Sequence, residues 1–514
     1  MSTTTITRLA ARRLVLPRRF PMRGGLSVRC LATAPTSELQ KTGLYDFHVA
    51  HGAKMVPFAG FSMPLAYGTV GAVASHHHVR NSVGLFDVGH MVQSFFRGPT
   101  ATAFLEWLTP SDLSSLSPFT STLSVLLNPT GGIIDDTIIT KHATDSFYVV
   151  TNAGRRAEDL AWFAAKLAEW NAGPVAQKEG GVEHEVLNGW GLVALQGPKA
   201  AEVLQGVVGE ADLSKLTFGQ SAYLPVEIGG EKVKVHVARG GYTGEDGFEI
   251  SIPPEHTVAF TTRLTHEPVQ LTGLGARDSL RLEAGMCLYG QDLDESTTPV
   301  EAGLSWVIGK RRRENGDFIG AEKVLAQLAG KPPRRRIGLT VEGAPARQGA
   351  KIFAPGGSEQ IGVVTSGIPS PTLGKNIAMG YVPDGWHKKG TEVEVEVRSK
   401  LRKAVRVPLP FVPAKYYRGS DLCDCESLHD RSGLLSDGRR NHNLYCRGSE
   451  RNSARWCVGR HENADARWQQ KLQIIVEKTE ARACKFCAFG DADTAGGYVI
   501  TKFLTSSGPL IQAD

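Results

Sequence analysis

Short apolar runs, separated by glycine and proline turns, are the main pattern of the chain up to residue 417. Residues 123–128 and 131–140 predict two strands around an Asn-Pro-Thr-Gly-Gly turn, and residues 146–152 predict a third. The second run is β-branched and apolar apart from Asp135 and Asp136. Because side chains alternate across a strand, these two carboxyl groups must face opposite sides. A carboxylate on a largely buried strand is costly unless it is paired or functional, so one of them is expected to face the core or a pocket.

Helical spacing follows these strands. Residues 156–170 predict a helix that the Asn-Ala-Gly-Pro sequence at 171–174 ends. The face expected to pack comprises Leu160, Ala164, Leu167 and Ala168. A second helix is predicted from Gly197-Pro198 to Val208, because proline is favoured in a first helical turn.

A glycine-rich turn precedes the next chemically informative strand. Its glycines surround Tyr242, Glu245 and Asp246. In the strand that follows, Phe248 and Ile250 point one way and Glu249 the other. A carboxylate directly after such a turn suits a pocket wall, since glycine lets the backbone approach a ligand closely.

The end of this region is predicted to be a separate small domain. Beyond a linker near residues 331–336, short strands alternate with glycine and proline turns up to residue 417. This pattern is typical of a small β-barrel or sandwich.

Composition places the chain among globular proteins. It has 514 residues, 41% hydrophobic and 21% charged, enough for two to four domains. No run approaches eighteen apolar residues, so no membrane span is expected, and a net charge of +6 does not point to nucleic acid. There is no Gly-x-x-x-x-Gly-Lys loop and no Gly-x-Gly-x-x-Gly after a strand, so bound nucleotide or flavin is not expected.

The two ends of the chain differ from the middle. Residues 1–36 are rich in arginine and contain no acidic residue, which is typical of a mitochondrial transit peptide; a disordered basic tail is the alternative. Between Cys30 and residue 417 the only cysteine is Cys287, as expected in the reducing mitochondrial matrix. Residues 418–514 hold the other six cysteines at spacings that match no familiar zinc site, so we expect an atypical, disordered tail without metal.

Eight segments in register resemble one known family, the aminomethyltransferases (T-proteins) of the glycine cleavage system. The resemblance covers roughly residues 40–417 and rests on LYDFHVAHGAKMVPFAG (44–60), LFDVGHM (85–91), GGIIDD (131–136), ALQGP (194–198), RGGYTGEDGFEIS (239–251), GARDSLRLEAGMCLYGQDLDESTTPVEAGLSW (275–306), MGYVP (379–383) and FVPAKYY (411–417). It implies an α+β fold, with two interleaved α+β domains around a central channel in residues 40–330 and a C-terminal β-barrel in residues 335–417.

The resemblance also implies an activity. An enzyme of this family takes the aminomethyl group from the lipoyl arm of H-protein and gives its methylene carbon to tetrahydrofolate, releasing ammonia. Tetrahydrofolate is then a co-substrate, lipoylated H-protein is the partner, and neither metal nor flavin is required.

The family's functional residues map onto seven positions. Asp136 aligns with the catalytic aspartate of the family. The alternative is that Asp135 and Asp136 both lie at a strand end, solvated or capping a turn, without a catalytic role. Glu249, Arg277 and Tyr416 align with folate or substrate contacts, and Tyr242, Met91 and Asn152 are candidates for the walls of the pterin site. The alternative for Arg277 is a structural ion pair with Asp278 or Glu283.

Two other functions remain open from sequence. A folate-linked demethylating oxidase or dehydrogenase would need a flavin domain, for which the chain has no fingerprint. A folate-binding maturation factor for iron–sulfur proteins or tRNA would carry a Lys-Gly-Cys motif, whereas residues 283–290 are EAGMCLYG. The histidines at 76–78 are expected to be solvated or capping, and the basic runs at 310–313 and 334–336 to be solvated faces or a steering surface for acidic partners.

Overall fold

The computed structural model describes residues 38–357 and 359–419, together with the backbone of residues 444–447, 456–459 and 487–488. The predicted transit peptide, residues 1–36, lies outside the described residues and remains a prediction. In the described part, no helix is long and apolar enough to cross a membrane.

A five-stranded antiparallel sheet contains the two aspartates. Its strands, in spatial order, are Thr120–Leu127, Ile133–Ala143, Ser146–Thr151, Val92–Arg97 and Glu183–Val186. The two strands predicted around the Asn-Pro-Thr-Gly-Gly turn, and the third predicted at residues 146–152, are therefore confirmed. Gly131 has φ +78°, and a Cβ on Gly132 would lie 1.7 Å from the backbone oxygen of Glu295, so both turn positions require glycine.

A six-stranded sheet contains Glu249. Its strands, in spatial order, are Ser221–Ile228, Glu231–Arg239, Gly247–Ile252, Gly191–Gln196, Val83–Asp87 and Val269–Leu271, and only the last pair is parallel. The chain enters this sheet, leaves it for the five-stranded sheet, and returns between Glu183–Val186 and Gly191–Gln196. The predicted interleaving of two α+β units is confirmed.

Helices cover these sheets. They are Tyr45–Ala50, Ala72–Asn81, Ala101–Leu108, Arg156–Ala172, Pro174–Glu179, Ala200–Val208, Thr257–Leu264, Leu274–Glu283, Lys310–Asn315 and Ala321–Ala329, with 3-10 turns at Ala153–Arg155, Leu213–Lys215, Pro254–His256 and Ser305–Val307. A separate hairpin pairs Ala53–Phe58 with Phe61–Tyr67.

The packing face of helix Arg156–Ala172 differs from the prediction. Ala164 and Ala168 are exposed, whereas Asp159 and Phe163 are buried. Phe163 joins the core of the five-stranded sheet, because the helix is rotated so that its aromatic side chains, not its alanines, fill the space above the strands.

The C-terminal unit is a closed six-stranded barrel, as predicted. Around the barrel the strands are Arg334–Val341, Lys375–Pro383, Gln360–Ser370, Lys351–Phe353, Glu392–Val397 and Lys400–Val407, and the last pairs with the first. The first strand begins at Arg334, so the predicted linker at 331–336 is shorter than expected.

The prediction of solvated histidines holds for His77, which is exposed, but is wrong for His76, and the prediction for the arginine runs also needs correction. His76 is fully buried, with Nδ1 2.7 Å from Ser279 Oγ and Nε2 3.2 Å from Glu283 Oε2. The arginines are not a simple solvated face, because they bond inside the fold. Arg311 donates to Glu106 and Asp112, Arg312 is buried against Asp317, Arg334 pairs with Glu301, and Arg335 pairs with Asp384.

Within the predicted tail, three short strands, Leu444–Arg447, Trp456–Gly459 and Cys487–Ala488, pair into a small antiparallel sheet. The rest of residues 420–514 lies outside the described residues. The expectation of a disordered tail without metal therefore stays a prediction.

Candidate active site

Asp135 and Asp136 face opposite sides of strand Ile133–Ala143, as the alternation requires. Asp135 is fully buried and Asp136 is partly exposed. Asn152, directly after strand Ser146–Thr151, contacts both. Its side-chain amide donates to Asp135 Oδ1 at 2.9 Å and to Asp136 Oδ1 at 3.0 Å, and its backbone N–H donates to Asp135 Oδ2 at 2.8 Å. The two aspartates do not lie at a solvated strand end.

The environment of Asp136 favours its protonated form. Burial raises its pKa to about 8, and the nearby charge of Asp135 acts in the same direction, while the hydrogen bond from Asn152 opposes both. A carboxyl group with a pKa near the working pH can exchange a proton or carry a charge as a reaction proceeds, which is the usual property of a catalytic acid or base.

Glu249 lies on strand Gly247–Ile252 as predicted, with Phe248 and Ile250 buried in the core on the opposite face. Burial raises the pKa of Glu249, and the positive charge of Arg277 opposes this rise. The strand thus presents one carboxyl group towards a guanidinium that comes from a different element.

Arg277, on helix Leu274–Glu283, forms no salt bridge among the described residues. The structural alternative is not supported, because Asp278 pairs with Arg281 and Glu283 pairs with Arg80. In the described part of the chain, the buried Nη1 of Arg277 has no hydrogen-bond partner. Burial also lowers the pKa of this guanidinium, an effect that Glu249 opposes. A buried donor without a partner costs free energy, and a bound acceptor would remove that cost.

Tyr242 connects Arg277 with the neighbourhood of Asp136. The guanidinium carbon of Arg277 lies 4.9 Å from the centroid of the Tyr242 ring, a cation–π arrangement. The Tyr242 hydroxyl donates to the backbone oxygen of Cys287. Burial raises the pKa of this hydroxyl, and the charges of Arg277 and Asp136 both act on it in opposite directions.

Met91 lies at the edge of the same region. Its side chain is partly buried and packs against a cluster that includes Ala276 and Leu280 of the helix that carries Arg277. His90, which we did not single out from sequence, is buried beside it. Burial lowers the pKa of His90 to about 4, and the charge of Arg277 adds to this effect. The signal that could have found His90 was its place inside the LFDVGHM segment.

Tyr416 belongs to a C-terminal segment that returns to the glycine-rich turn. Its ring stacks on Phe218, with 4.0 Å between centroids. The backbone N–H of Lys415 donates to Gly244 at 2.8 Å, and that of Tyr417 donates to Asp246 at 3.3 Å. Among the described residues, Tyr416 makes no hydrogen bond to Asp136, Glu249 or Arg277, so it adjoins the turn and not the central group.

A buried ion network beneath this turn was not predicted. Arg80 donates to Glu245 at 3.1 Å and to Glu283 at 2.8 Å. Glu283 also accepts hydrogen bonds from Ser370 and Thr372 of the barrel region. The network therefore ties the helix that carries Arg277 to the turn that carries Tyr242 and to the barrel. Sequence spacing gave no signal for it, because its members are separated by up to 292 residues.

Comparison with known proteins assigns the family. Residues 44–312 match the family model described as GCVT N-terminal domain, and residues 334–413 match the glycine cleavage T-protein C-terminal barrel domain. The chain belongs to the glycine cleavage T-protein family. It is therefore an enzyme of the aminomethyltransferase class, as its sequence predicted.

Individual relatives agree with this assignment. The chain is 52% identical over 388 residues to a probable mitochondrial aminomethyltransferase of Schizosaccharomyces pombe, covering 75% of this chain and 96% of the relative. It is 49% identical over 395 residues to the mitochondrial aminomethyltransferase of Pisum sativum, covering 76% and 93%. The names of these relatives support a mitochondrial location.

A solved structure has the same fold. The crystal structure of glycine cleavage system aminomethyltransferase T from Bartonella henselae matches with a TM-score of 0.67 and 39% identity, covering 74% of this chain and 99% of that one. The predicted fold class is confirmed.

In the part of the chain that the structure describes, no three histidine, cysteine, aspartate or glutamate side chains are grouped so that they could hold a metal ion. The cysteines at 423, 425, 484 and 487 do not enter this statement, because no side chain is described there.

Proposed function

We propose that the chain catalyses the tetrahydrofolate-dependent aminomethyl transfer of glycine cleavage in the mitochondrial matrix. The donor is the S–CH2–NH3+ group on the lipoyl arm of H-protein, and the products are ammonia, 5,10-methylenetetrahydrofolate and the dihydrolipoyl arm. The observation that carries the proposal is the grouping of Asp136, Tyr242, Arg277 and Glu249, drawn from four separate elements.

Folate suits the polar groups of this site other than Asp136. Glu249 can accept two parallel N–H bonds from the amino-pyrimidinone edge of a pterin, and such charge-assisted bonds are roughly twice as strong as neutral ones. Arg277 offers a buried donor that has no partner among the described residues. Tyr242 and Met91 supply ring and thioether surface for the walls of the site. When bound, tetrahydrofolate supplies two nitrogen nucleophiles, N5 and N10, that accept the methylene carbon.

The proposed role of Asp136 is electrostatic. Its carboxylate stabilises positive charge that develops near N10, an electrostatic role that is strongest where water is excluded. Asn152 holds one carboxylate oxygen by its amide at 3.0 Å, which limits rotation of the side chain. Tyr416 borders the site at the glycine-rich turn, where its stack on Phe218 and the bonds of its neighbours to the turn hold it.

The direct test is to incubate the purified protein with aminomethylated H-protein and tetrahydrofolate. We expect ammonia and 5,10-methylenetetrahydrofolate in equal amounts, with each substrate required. Omission of tetrahydrofolate serves as the control, because ammonia released equally fast without it would mean that the site does not use folate as the acceptor.

The maturation-factor alternative is not favoured. The relatives named above are aminomethyltransferases, and residues 283–290 lack the Lys-Gly-Cys motif. The same incubation separates the two functions, since a folate-binding maturation factor would bind tetrahydrofolate but release no ammonia.

A further inference from the structure

Asp159 is a fully buried carboxyl group on the side of the five-stranded sheet away from Asp136. Among the described residues, no N–H group and no hydroxyl group donates a hydrogen bond to either of its oxygens. The side chains that face it are the carboxyl group of Asp135 and the hydroxyl group of Thr151. A carboxylate in such a place, away from any N–H donor, costs several kcal/mol unless it is neutralised.

Within the described residues, no basic side chain forms a salt bridge or a hydrogen bond with Asp135 or Asp159. The charge of Arg155 acts on Asp159, but its guanidinium donates to the backbone oxygen of Ile134 and pairs with Glu158 and Glu295. The charged and titratable groups that act on the two carboxyl groups from all neighbouring elements are Asp136, Arg155, Glu158 and Tyr289. Of these only Arg155 carries a positive charge.

Ionisation of both carboxyl groups is strongly disfavoured when they face each other in the interior without a salt-bridge partner, because the repulsion between their charges adds to the cost of burial. They are stable when they share one proton in a carboxyl–carboxylate hydrogen bond. Consistent with this, burial raises the pKa of Asp159 to about 7, and burial together with Asp159 raises the pKa of Asp135 well above its usual range.

The pair is connected to the proposed catalytic group through Asn152. Both oxygens of Asp135 accept hydrogen bonds from Asn152, one from the backbone N–H and one from the side-chain amide. The same amide donates to Asp136. An interaction that holds the Asp135 carboxyl group in place therefore also holds the side-chain amide of Asn152, which orients Asp136.

We propose that Asp159 is a positioning residue: it shares one proton with Asp135, and this bond fixes the carboxyl group that holds Asn152 against Asp136. The proposal rests on the proposed function for its effect on turnover. The shared proton itself is independent of that function and can be tested without any substrate.

The first test measures thermal stability against pH for Asp159→Asn, with Glu169→Gln as a control at an exposed position of the same helix. The folded-state pKa of Asp159, about 7, lies above the unfolded value of about 3.9. The stability from its protonated form is therefore complete below about pH 4 and is lost as the pH rises through about 7.

Asparagine keeps a hydrogen-bond donor and has no such proton to lose. We expect the Tm of Asp159→Asn, relative to the unsubstituted protein, to rise by about 2 °C between pH 6 and pH 8. Glu169→Gln should show no such trend.

The second test measures turnover. Asp159→Asn should keep kcat within about threefold, because its amide can donate to Asp135, whereas Asp159→Leu should lower kcat about 10-fold or more by releasing Asn152. The KM for tetrahydrofolate should change less than kcat, since Glu249 and Arg277 are not touched. If Asp159→Leu does not fold, the comparison of Asp159→Asn with the unsubstituted enzyme still tests the proposal.

Three results would overturn it. Asp159→Asn could be destabilised equally at pH 6 and pH 8, which would exclude a shared proton. It could lose turnover about 10-fold or more, which would mean that a donor at this position does not suffice. A folded Asp159→Leu could keep full kcat, which would show that Asp159 does not position Asn152. If the unsubstituted protein releases no ammonia but the stability trend is found, the proposed function fails while the shared proton stands.

Discussion

The guanidinium carbon of Arg277 lies 4.9 Å from the centroid of the Tyr242 ring, which fixes the orientation of a side chain whose Nη1 has no partner among the described residues. Among the described residues, no side chain forms a salt bridge with the guanidinium of Arg277. The ion pair with Asp278 is made by a second arginine of the same helix, Arg281. A residue placed in this way is expected to serve a ligand.

Replacing Arg277 with alanine should therefore weaken tetrahydrofolate binding by about 1.5–3 kcal/mol, the range for hydrogen bonds to charged groups. Glu249→Gln should weaken it by a similar amount, because it removes the charge from the acceptor. Titration calorimetry on the folded variants measures both. Arg156→Ala, which removes an exposed arginine that donates to Asn188, is the control and should leave affinity unchanged. Unchanged affinity in folded Arg277→Ala would count against the folate assignment.

The pH dependence of kcat/KM should follow Asp136. Its pKa in the free protein is raised to about 8, and the proposed role needs the ionised form. Because kcat/KM reports the free enzyme, it should rise as the pH increases through about 8 and then level off. Steady-state rates between pH 6 and pH 9.5 measure this limb. A fall in kcat/KM over the same range would mean that the protonated acid is the active form.

The buried network around Glu283 should matter for stability. Burial alone would raise the pKa of Glu283, but hydrogen bonds from His76, Ser370 and Thr372 lower it to about 2. Since the folded pKa lies below the unfolded value, this stability is present above about pH 4.5 and is lost as the pH falls towards 2. Glu283→Gln should lower the free energy of unfolding at pH 7 by about 3–5 kcal/mol, because it leaves Arg80 incompletely paired in the interior.

Chemical denaturation at pH 7 measures that loss. The matched control is Glu185→Gln, which breaks the exposed ion pair with Arg97 and should cost about 0–1 kcal/mol. Equal losses in the two variants would show that the buried network is no more important than a surface pair.

The sequence predicted those features that depend on local pattern. Strand alternation separated Asp135 from Asp136 and Glu249 from Phe248, and turn-broken strands predicted the barrel. Features that depend on packing between distant elements were missed. The side chain of Asp159 points inward because of the rotation of helix Arg156–Ala172 over the five-stranded sheet. The buried contact of His76 is with Glu283, which lies 207 positions later in the chain. The choice of partner for Arg277 was open for the same reason.

Truncation should separate the C-terminal segment from the tail. The backbone N–H groups of Phe411 and Val412 donate to Glu283, and Phe218 donates to Tyr417, so the segment up to residue 417 is part of the fold. We expect a chain ending after Arg418 to keep its Tm and its ammonia release. A chain ending before Phe411 should lose both. A fall of more than about 4 °C on removal of the tail alone would show that residues 419–514 are docked.

The measurement that tests the central claim most directly is the turnover of Asp136→Asn with aminomethylated H-protein and tetrahydrofolate. The account predicts that ammonia release and 5,10-methylenetetrahydrofolate formation fall together by about 10²-fold or more, while the Kd for tetrahydrofolate changes little. Asp135→Ala serves as the comparison on the opposite face of the strand. Near-normal turnover in folded Asp136→Asn, or a collapse confined to Asp135→Ala, would contradict the assignment of Asp136 as the catalytic carboxylate.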